Sequence, residues 1–523
     1  MNLVRALGSV GGLTLASRVL GLVRDSLFAR FVGAGFASDA FLVAFRLPNM
    51  FRALFAEGAF SAAFIPMFNQ RVAQEGGGLK AGLAFAEDAL SVLLPVLLVM
   101  LALAELCAWP ITYALSGGFG GVGPRAFDDA VLMSRLTLPY LVLISLVSLL
   151  GGILNSIDKF WVNAAAPILL NLTLIAALLA FHEVDPMLTA RNQAIGVSVA
   201  GALQLGWLIW ACARNGVMLR LRLPRLTPDV RRLLALIGPA AAGAGAVQIN
   251  LVISTALAAS LLPAGSVSYI YYADRLNQLP LGLIGIGLGT VLLPTIARQL
   301  GSGDEDGALE TQNRGLELAL FFTLPATVAL IVCGVPITAA LFQHGKFTAL
   351  DTLFTAQALG AFSVGLPSYI LVKVLTPGFY ARQDTKTPVR FATIAIALNI
   401  AFNLALIVPL RHMGPPLATA LSSTANVALL YWMLRKRGHF APDAQLKRRA
   451  LRLAGAALLM GGVMWFLNDR FAPYTTGAGI TRWIAMLVLV SGGGAVYGIA
   501  CLVLRAYLPA DLRAMLRSRR KSA

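Results

Sequence analysis

Charge is scarce in this sequence. Only 13% of its 523 residues are Asp, Glu, Lys or Arg, about half the roughly 25% of soluble globular chains. With 58% hydrophobic residues and a mean hydropathy of +0.76, that shortage excludes a water-soluble globular protein. Acid is the rarer sign, 24 residues against 42 basic ones, for a net charge of +18. Cysteine is nearly missing as well. Cys107, Cys212, Cys333 and Cys501 lie far apart in apolar stretches with no CxxC pair, which speaks against disulfides or thiolate metal sites and for small buried hydrophobes. The four histidines (His182, His344, His412, His439) fall at segment ends without a spacing such as HExxH, so nothing supports a zinc site.

What the chain has is apolar length. Crossing roughly 30 Å of hydrocarbon takes about 20 residues, and about 14 windows of that kind can be counted, which predicts an all-α polytopic membrane protein. Several windows contain Pro or Gly (Pro48, Pro66, Gly285, Pro294, Pro325, Pro367, Pro377), where membrane helices bend or break if neighbours re-satisfy the backbone. Arg5 ahead of an apolar run has the look of a signal peptide. No A-x-A cleavage pattern follows, and "SRVLGLVRDSLFAR" does, so the segment reads as a retained first transmembrane helix.

An even number of spans puts both termini on one side, and the basic residues can then be sorted. Of the 42, the side of the termini holds 28, dominated by "RNGVMLRLRLPRLTPDVRR", "RKRGHFAPDAQLKRR" and "RAMLRSRRK". The opposite loops hold seven, and seven more lie inside spans: Arg18, Arg24, Arg46, Arg52, Arg135, Arg275 and Lys373. This asymmetry predicts cytoplasmic termini, and it assigns most of the net charge to topology, with no nucleic-acid partner. "GSGDEDG" at 301–307 reads as a solvated linker turn.

The chain also repeats itself. "FRLPNMFRALFAEGAFSAAFIP" matches "ADRLNQLPLGLIGIGLGTVLLP", and "NSIDKFWVNAAAPILLN" matches "RQDTKTPVRFATIAIALN", both at an offset near 228 residues. That offset equals six spans, so the repeat is parallel, about an axis along the membrane normal. It predicts an N-lobe over 1–215, a C-lobe over 228–440, a helix pair over 445–508 and a basic cytoplasmic tail over 509–523.

Charges inside spans need a partner or a polar cavity, since an arginine at mid-bilayer costs about 2.5–3.5 kcal/mol on insertion scales. At about 100° per residue, Gly11, Thr14, Arg18, Gly21 and Asp25 share one face of the first span, with Ser17 and Arg24 beside it. The second span carries Asp39, Arg46, Asn49, Arg52 and Glu57; Asp39 and Arg46, seven apart, share a face as far as Pro48. The eighth adds Asp274 and Arg275. These charges predict a cavity rich in guanidinium, which suits a phosphate or diphosphate because the planar fork donates bidentate hydrogen bonds. The alternative is structural ion pairing, such as Arg18 with Asp25 on one helix, and Arg46 as a helix-end or gate residue.

"ASRVLGLVRDSLFARFVGAGFASDAFLVAFRLPNMFRALFAEGAFSAAFIP", together with "SVSYIYYADRLNQLPLGLIGIGLGTVLLP", resembles the MurJ (MviN) lipid II flippases of the multidrug/oligosaccharidyl-lipid/polysaccharide exporter superfamily. The resemblance covers essentially the whole chain. It implies fourteen helices in two lobes set as a V. It also implies movement of undecaprenyl-pyrophosphate-linked disaccharide-pentapeptide from the cytoplasmic to the periplasmic leaflet of the bacterial inner membrane, for peptidoglycan synthesis. The family's cavity arginines match Arg18, Arg24, Arg52 and Arg275, and its polar gate and cavity residues match Ser17, Asp25, Asp39 and Asn49. The C-terminal helix pair would form a groove for the lipid tail. Expected partners are lipid II, membrane lipids and the cell-wall synthesis machinery. No cofactor is implied beyond coupling to sodium or to membrane potential. Some members resemble sodium-binding proteins, and the matching positions are Thr255, Asn399, Asn403 and Thr419. No carboxylate occurs among those four, and two asparagines hydrogen-bonded between helices are the alternative.

Two rivals stand beside the flippase. A drug or organic-cation antiporter of the same superfamily should gather acids in its cavity, not arginines. A membrane enzyme acting on a polyprenyl pyrophosphate would need metal-binding carboxylates or an acid/base pair. The adjacent Asp128 and Asp129 point in different directions and start a helix, where they read as a cap. No catalysis is expected.

Overall fold

The computed structural model describes residues 3–56, 59–74, 78–475, 477 and 479–507. Among them every regular element is helical and none is a strand. Ten stretches are long and apolar enough to cross a bilayer. One of these, Lys386–Lys436, is at 51 residues long enough for two crossings, and three further helices of 30, 34 and 36 residues lie outside the ten. Fourteen crossings are compatible with this inventory.

Packing divides the chain into two compact units. The first comprises Met1–Ser268 with His344–Phe347. Its helices are α1 (Leu3–Val32), α2 (Phe36–Ala44), α3 (Arg46–Ala56), α4 (Ala59–Ala73), α5 (Gly78–Leu106), α6 (Ala108–Ser116), α7 (Pro124–Thr137), α8 (Pro139–Ser156), α9 (Phe160–Ala180), α10 (Pro186–Arg214) and α11 (Pro228–Leu261). α1 lies along α9, α9 along α10, and α11 packs on α4 and α6. The repeat groups α11 with the second lobe, so sequence kinship and packing partition the chain differently at this helix.

The second predicted span is not one helix. α2 ends at Ala44 and α3 begins at Arg46, across Phe45. Pro48 is the cause: its ring excludes the carbonyl of Ala44, four residues back, and it has no N–H to offer that oxygen. Thr137 Oγ1 donates to the Ala44 oxygen instead, at 2.9 Å, which is how a membrane helix tolerates such a break. Asp39 and Arg46 therefore sit on two successive helices. A second expectation also changes. The N-cap of α7 is Gly123, with Pro124 at the first helical position, and Asp129 pairs with Arg191 at 3.0 Å instead of capping.

Loop 344–347 belongs to the first unit because it closes the end of α1. The Lys346 N–H donates to the Arg30 carbonyl at 2.9 Å, and the Lys346 amine reaches the Val184 carbonyl. Gly345, at φ +59°, has no room for a Cβ against the Arg30 oxygen, so glycine is required there on two counts.

The second unit comprises Tyr269–Gln343 and Thr348–Ala523. It contains α12 (Ser266–Gly301, whose first turn lies in the first unit), α13 (Glu305–Val332), α14 (Gly334–Phe342), α15 (Ala349–Val364), α16 (Leu366–Tyr380), α17 (Lys386–Leu410), α18 (Gly414–Lys436), α19 (Ala444–Thr475) and α20 (Ile480–Val503). Asp304 caps α13 by accepting from Gly307 N–H at 2.8 Å, consistent with a solvated turn at 301–307. α17 pairs with α18, and α19 pairs with α20 while lying on α13. Between lipid-facing helices apolar burial adds little, and close packing holds the pair: Gly493 lets the Met464 sulfur reach the α20 backbone, where a Cβ would collide with it. Polar clamps fix both ends. Arg482 donates to the carbonyls of Gly477, Ala339 and Gln343 at 2.7, 2.9 and 2.7 Å. At the far end buried Glu317 accepts from Arg449 at 2.9 Å and from Arg314, which also holds Asp443. The tail over 509–523 lies outside the described residues.

Candidate functional site

In the first unit the charged residues of α1 meet α9. Arg24 is only 8% exposed. Its Nε and Nη2 donate to Asp25 Oδ1 at 3.0 and 2.6 Å, and its Nη1 donates to Asn171 Oδ1 at 3.2 Å. The Asn171 amide turns back to α1, donating to the Ser17 carbonyl at 2.9 Å and to Ser17 Oγ at 3.4 Å. Ser17, Arg24 and Asp25 are therefore brought together, with Asn171 as the hub. Asp25 pairs with its neighbour Arg24; the intrahelical alternative was Arg18, which is exposed along with Gly11 and Thr14. The predicted face of α1 is thus split between an exposed N-terminal stretch and a buried end at Asp25, with Gly21 half-buried between them.

Arg52 and Asn49 form a second group on α3, with Arg52 Nε donating to Asn49 Oδ1 at 3.0 Å. Arg46, at the start of the same helix, reaches α11: its Nη2 donates to the Leu251 carbonyl at 3.0 Å and to Thr255 Oγ1 at 2.8 Å. Glu57 lies outside the described residues. Asp39, 2% exposed, accepts the backbone N–H groups of Gly265 and Ser268 at 2.6 and 2.8 Å, and Ser268 Oγ lies 2.5 Å from its Oδ1. The carboxylate so meets the orphan donors at the N-terminus of α12, where negative charge is favoured. A cavity of about 340 Å³ opens beside it, with Phe36, Phe119 and Pro263 in its wall.

In the second unit Arg275 donates from Nε and Nη2 to the Tyr271 hydroxyl at 3.2 and 3.0 Å, and its guanidinium stands 5.1 Å from that ring. Asp274 accepts from Gln278 Nε2 at 2.5 Å. Three of the four candidate cation ligands also lie here. Asn399 Nδ2 donates to Thr419 Oγ1 and to Ser422 Oγ, both at 3.3 Å, and Asn403 Nδ2 donates to Asn399 Oδ1 at 2.9 Å. Asn399 Oδ1 and Thr419 Oγ1 each accept an amide N–H, Thr255 Oγ1 accepts from Arg46, and the set has no carboxylate. Among the described residues no cluster of three His, Cys, Asp or Glu could hold a metal.

Sequence reasoning missed Asn171, Ser268 and Tyr271. The one available signal was the repeat, whose second match ends on Asn171 and Asn399. Neutral hydrogen-bonding residues otherwise carry no mark in an apolar helix.

The family model for the lipid II flippase MurJ matches residues 28–484. The chain belongs to the MurJ lipid II flippase family. It is 41% identical over 485 residues to a probable lipid II flippase MurJ of Rhizobium tropici, covering 92% of this chain and 90% of that one. It is 38% identical to the lipid II flippase MurJ of Burkholderia cenocepacia, covering 90% and 91%. Among solved structures it is similar to a MurJ lipid II flippase in an inward closed conformation, with a TM-score of 0.78, 26% identity, and coverage of 94% of this chain and 98% of that one. An inward-facing multidrug-resistance MATE transporter of the MOP superfamily matches at a TM-score of 0.63 and 17% identity, over 81% and 95% of the chains. That likeness is one of fold alone, and it gives MurJ proteins and drug exporters a common helical frame.

Proposed function

We propose that this protein is a lipid II flippase of the bacterial inner membrane, moving undecaprenyl-pyrophosphate-linked disaccharide-pentapeptide from the cytoplasmic to the periplasmic leaflet by alternating access. Family membership supports the substrate. The observation that carries the chemistry is Arg24, a guanidinium anchored inside a membrane helix by Asp25 and Asn171. Arg18, Arg24 and Arg52 of the first unit and Arg275 of the second are the groups that bind the diphosphate. An organic-cation exporter would need the opposite sign of charge.

Flipping makes and breaks no covalent bond, so no catalytic group is required. The arginines must replace the water around a diphosphate, and a fork held in advance does so at lower ordering cost than a free side chain. The positive-inside asymmetry supports cytoplasmic termini. The pair α19–α20 offers an apolar surface beside the lipid for the C55 tail, and the cell-wall synthesis machinery is the partner that consumes the product.

The test is leaflet-resolved lipid II accessibility in cells depleted of the native flippase and supplied with this protein. Restored exposure of lipid II on the outer leaflet is expected. Restored growth without it would sink the reading. Single cysteines near Gly118 and His344 should react with an impermeant thiol reagent in whole cells, and one at Arg222 should not.

A further inference from the structure

The linker between α10 and α11 is built unlike any water-facing loop. Residues 218–226 read MLRLRLPRL. The segment is neither helix nor strand, and residues 220–226 are exposed. Arg222 pairs with Glu87 at 2.5 Å and Asp88 at 3.3 Å on α5, and the Arg220 N–H donates to Glu87 at 2.9 Å. The leucines on either side of Arg222 stand away from the protein: Leu221 is 72% exposed and Leu223 79%. Met218 and Leu226 are exposed too.

Just beyond, α11 opens a cavity of about 360 Å³ lined by Leu226, Arg231 and Arg232. Arg232 also borders a second cavity of about 270 Å³ whose wall is mostly apolar, with Ala63, Met67 and Leu236 beside Gln70. The acids nearby are already matched, Glu87 and Asp88 by Arg222 and Asp229 by Arg71. Arg220, Arg225, Arg231 and Arg232 are exposed and enter none of the ion pairs among the described residues. Surplus positive charge beside outward leucines and an apolar cleft matches one surface, a leaflet of anionic phospholipid.

We propose that segment 218–236 docks on anionic phospholipid: Leu221 and Leu223 enter the headgroup–acyl boundary, and Arg231 and Arg232 hold a lipid phosphate over the cleft. The placement in the cytoplasmic leaflet rests on the topology proposed above. The linker joins the two repeats, so lipid charge would act on the one covalent connection between them.

The full-length protein with Cys107→Ser and Leu223→Cys, labelled with bimane, is placed in phosphatidylcholine nanodiscs with or without phosphatidylglycerol. Brominated lipids should quench the probe, and more strongly with phosphatidylglycerol. Arg231→Gln/Arg232→Gln should weaken retention of phosphatidylglycerol in native mass spectrometry about thirtyfold, at about 1 kcal/mol for each surface arginine. A water-like unquenched probe, unchanged retention in the double variant, or a disulfide-linked dimer of the unlabelled Leu223→Cys protein would each overturn the proposal, the last in favour of a second copy. External labelling of the Leu223→Cys thiol in whole cells would overturn the topology alone, since quenching in nanodiscs does not depend on orientation.

Discussion

The internal repeat places an asparagine at matching positions in the two halves, Asn171 in α9 and Asn399 in α17, and the two are used differently. Asn171 joins α9 to α1 and gives its oxygen to Arg24. Asn399 joins α17 to α18 and gives its oxygen to another amide, Asn403, while its nitrogen meets Thr419 and Ser422. One amide orients a charge; the other completes a neutral network. The repeat keeps a hydrogen-bonding residue where two helices meet and leaves open what it bonds to. Arg24 thus gains an amide anchor in one half that has no equivalent at the matching position of the other.

The sharpest way to break this comparison is at Arg24. Arg24→Ala should abolish complementation of a flippase-depleted cell while the protein still inserts, and Arg24→Lys should restore little, because an ammonium cannot keep the fork to Asp25 and Asn171. If Arg24 were only a structural charge, Asp25→Asn/Arg24→Gln would grow normally, since the uncompensated charge would be gone. No growth of that double variant at normal protein level is the expected result.

The second half does hold a buried carboxylate, but it is spent on structure. Glu317 takes two arginines, and Asp443 shares one of them. Glu317→Gln should destabilise the protein by about 3 kcal/mol, because breaking a buried pair strands its partners. Thermal unfolding in detergent reads this as an early loss of the folded state. Glu317→Gln/Arg449→Gln should recover part of it. Transport per folded molecule should stay unchanged, the reverse of the Arg24 result.

How far the sequence could see follows from this contrast. Long apolar windows and a basic asymmetry announce a membrane protein because the bilayer punishes anything else. Arg24, Arg52 and Arg275 stood out for the same reason. Partners were harder to read. Residues one apart on a helix do not normally face each other, so Asp25 was matched with Arg18, whereas two Arg24 nitrogens reach it by folding back along the helix surface. The break before Pro48 was legible in kind but not in place, because the Ala44 oxygen is rescued by Thr137, 93 residues away. Asp39 was visible as a buried acid, yet its ligands are the backbone N–H groups of Gly265 and Ser268, and backbone donors have no signature in a sequence.

The asparagines themselves give a smaller effect. Asn171→Ala and Asn399→Ala should each lose about 1–2 kcal/mol of stability, the cost of stranding buried partners. Only Asn171→Ala should also slow lipid II transport, since Arg24 loses its second anchor. Asn399→Ala should leave transport intact and equally rapid when sodium is replaced by potassium. A sodium requirement that Asn399→Ala removes would reverse the assignment of a neutral network and revive the cation site.

The smallest effect lies in the loops ahead of those two helices. Before α9, Asp158 sits in a left-handed turn at φ +62°. Before α17, Asp384 accepts from the Thr387 N–H at 3.0 Å and from Arg437 at 2.6 Å. Hydrogen bonds from Thr387, then from Arg437, hold its carboxyl down from 3.8 to about 2. A depressed folded value means the ionised form is the one the fold favours. Its contribution is complete above the unfolded value of 3.8 and disappears as pH falls through about 2. The pair is partly solvent-accessible, so Asp384→Asn should cost less than about 1 kcal/mol at neutral pH. The variant should also lack the part of the acid destabilisation that falls between those two pH values. Thermal melts of the two proteins across that interval should converge at the acid end. If they stayed equally far apart throughout, Asp384 would not be what steadies the start of α17, and the two loops would be alike after all.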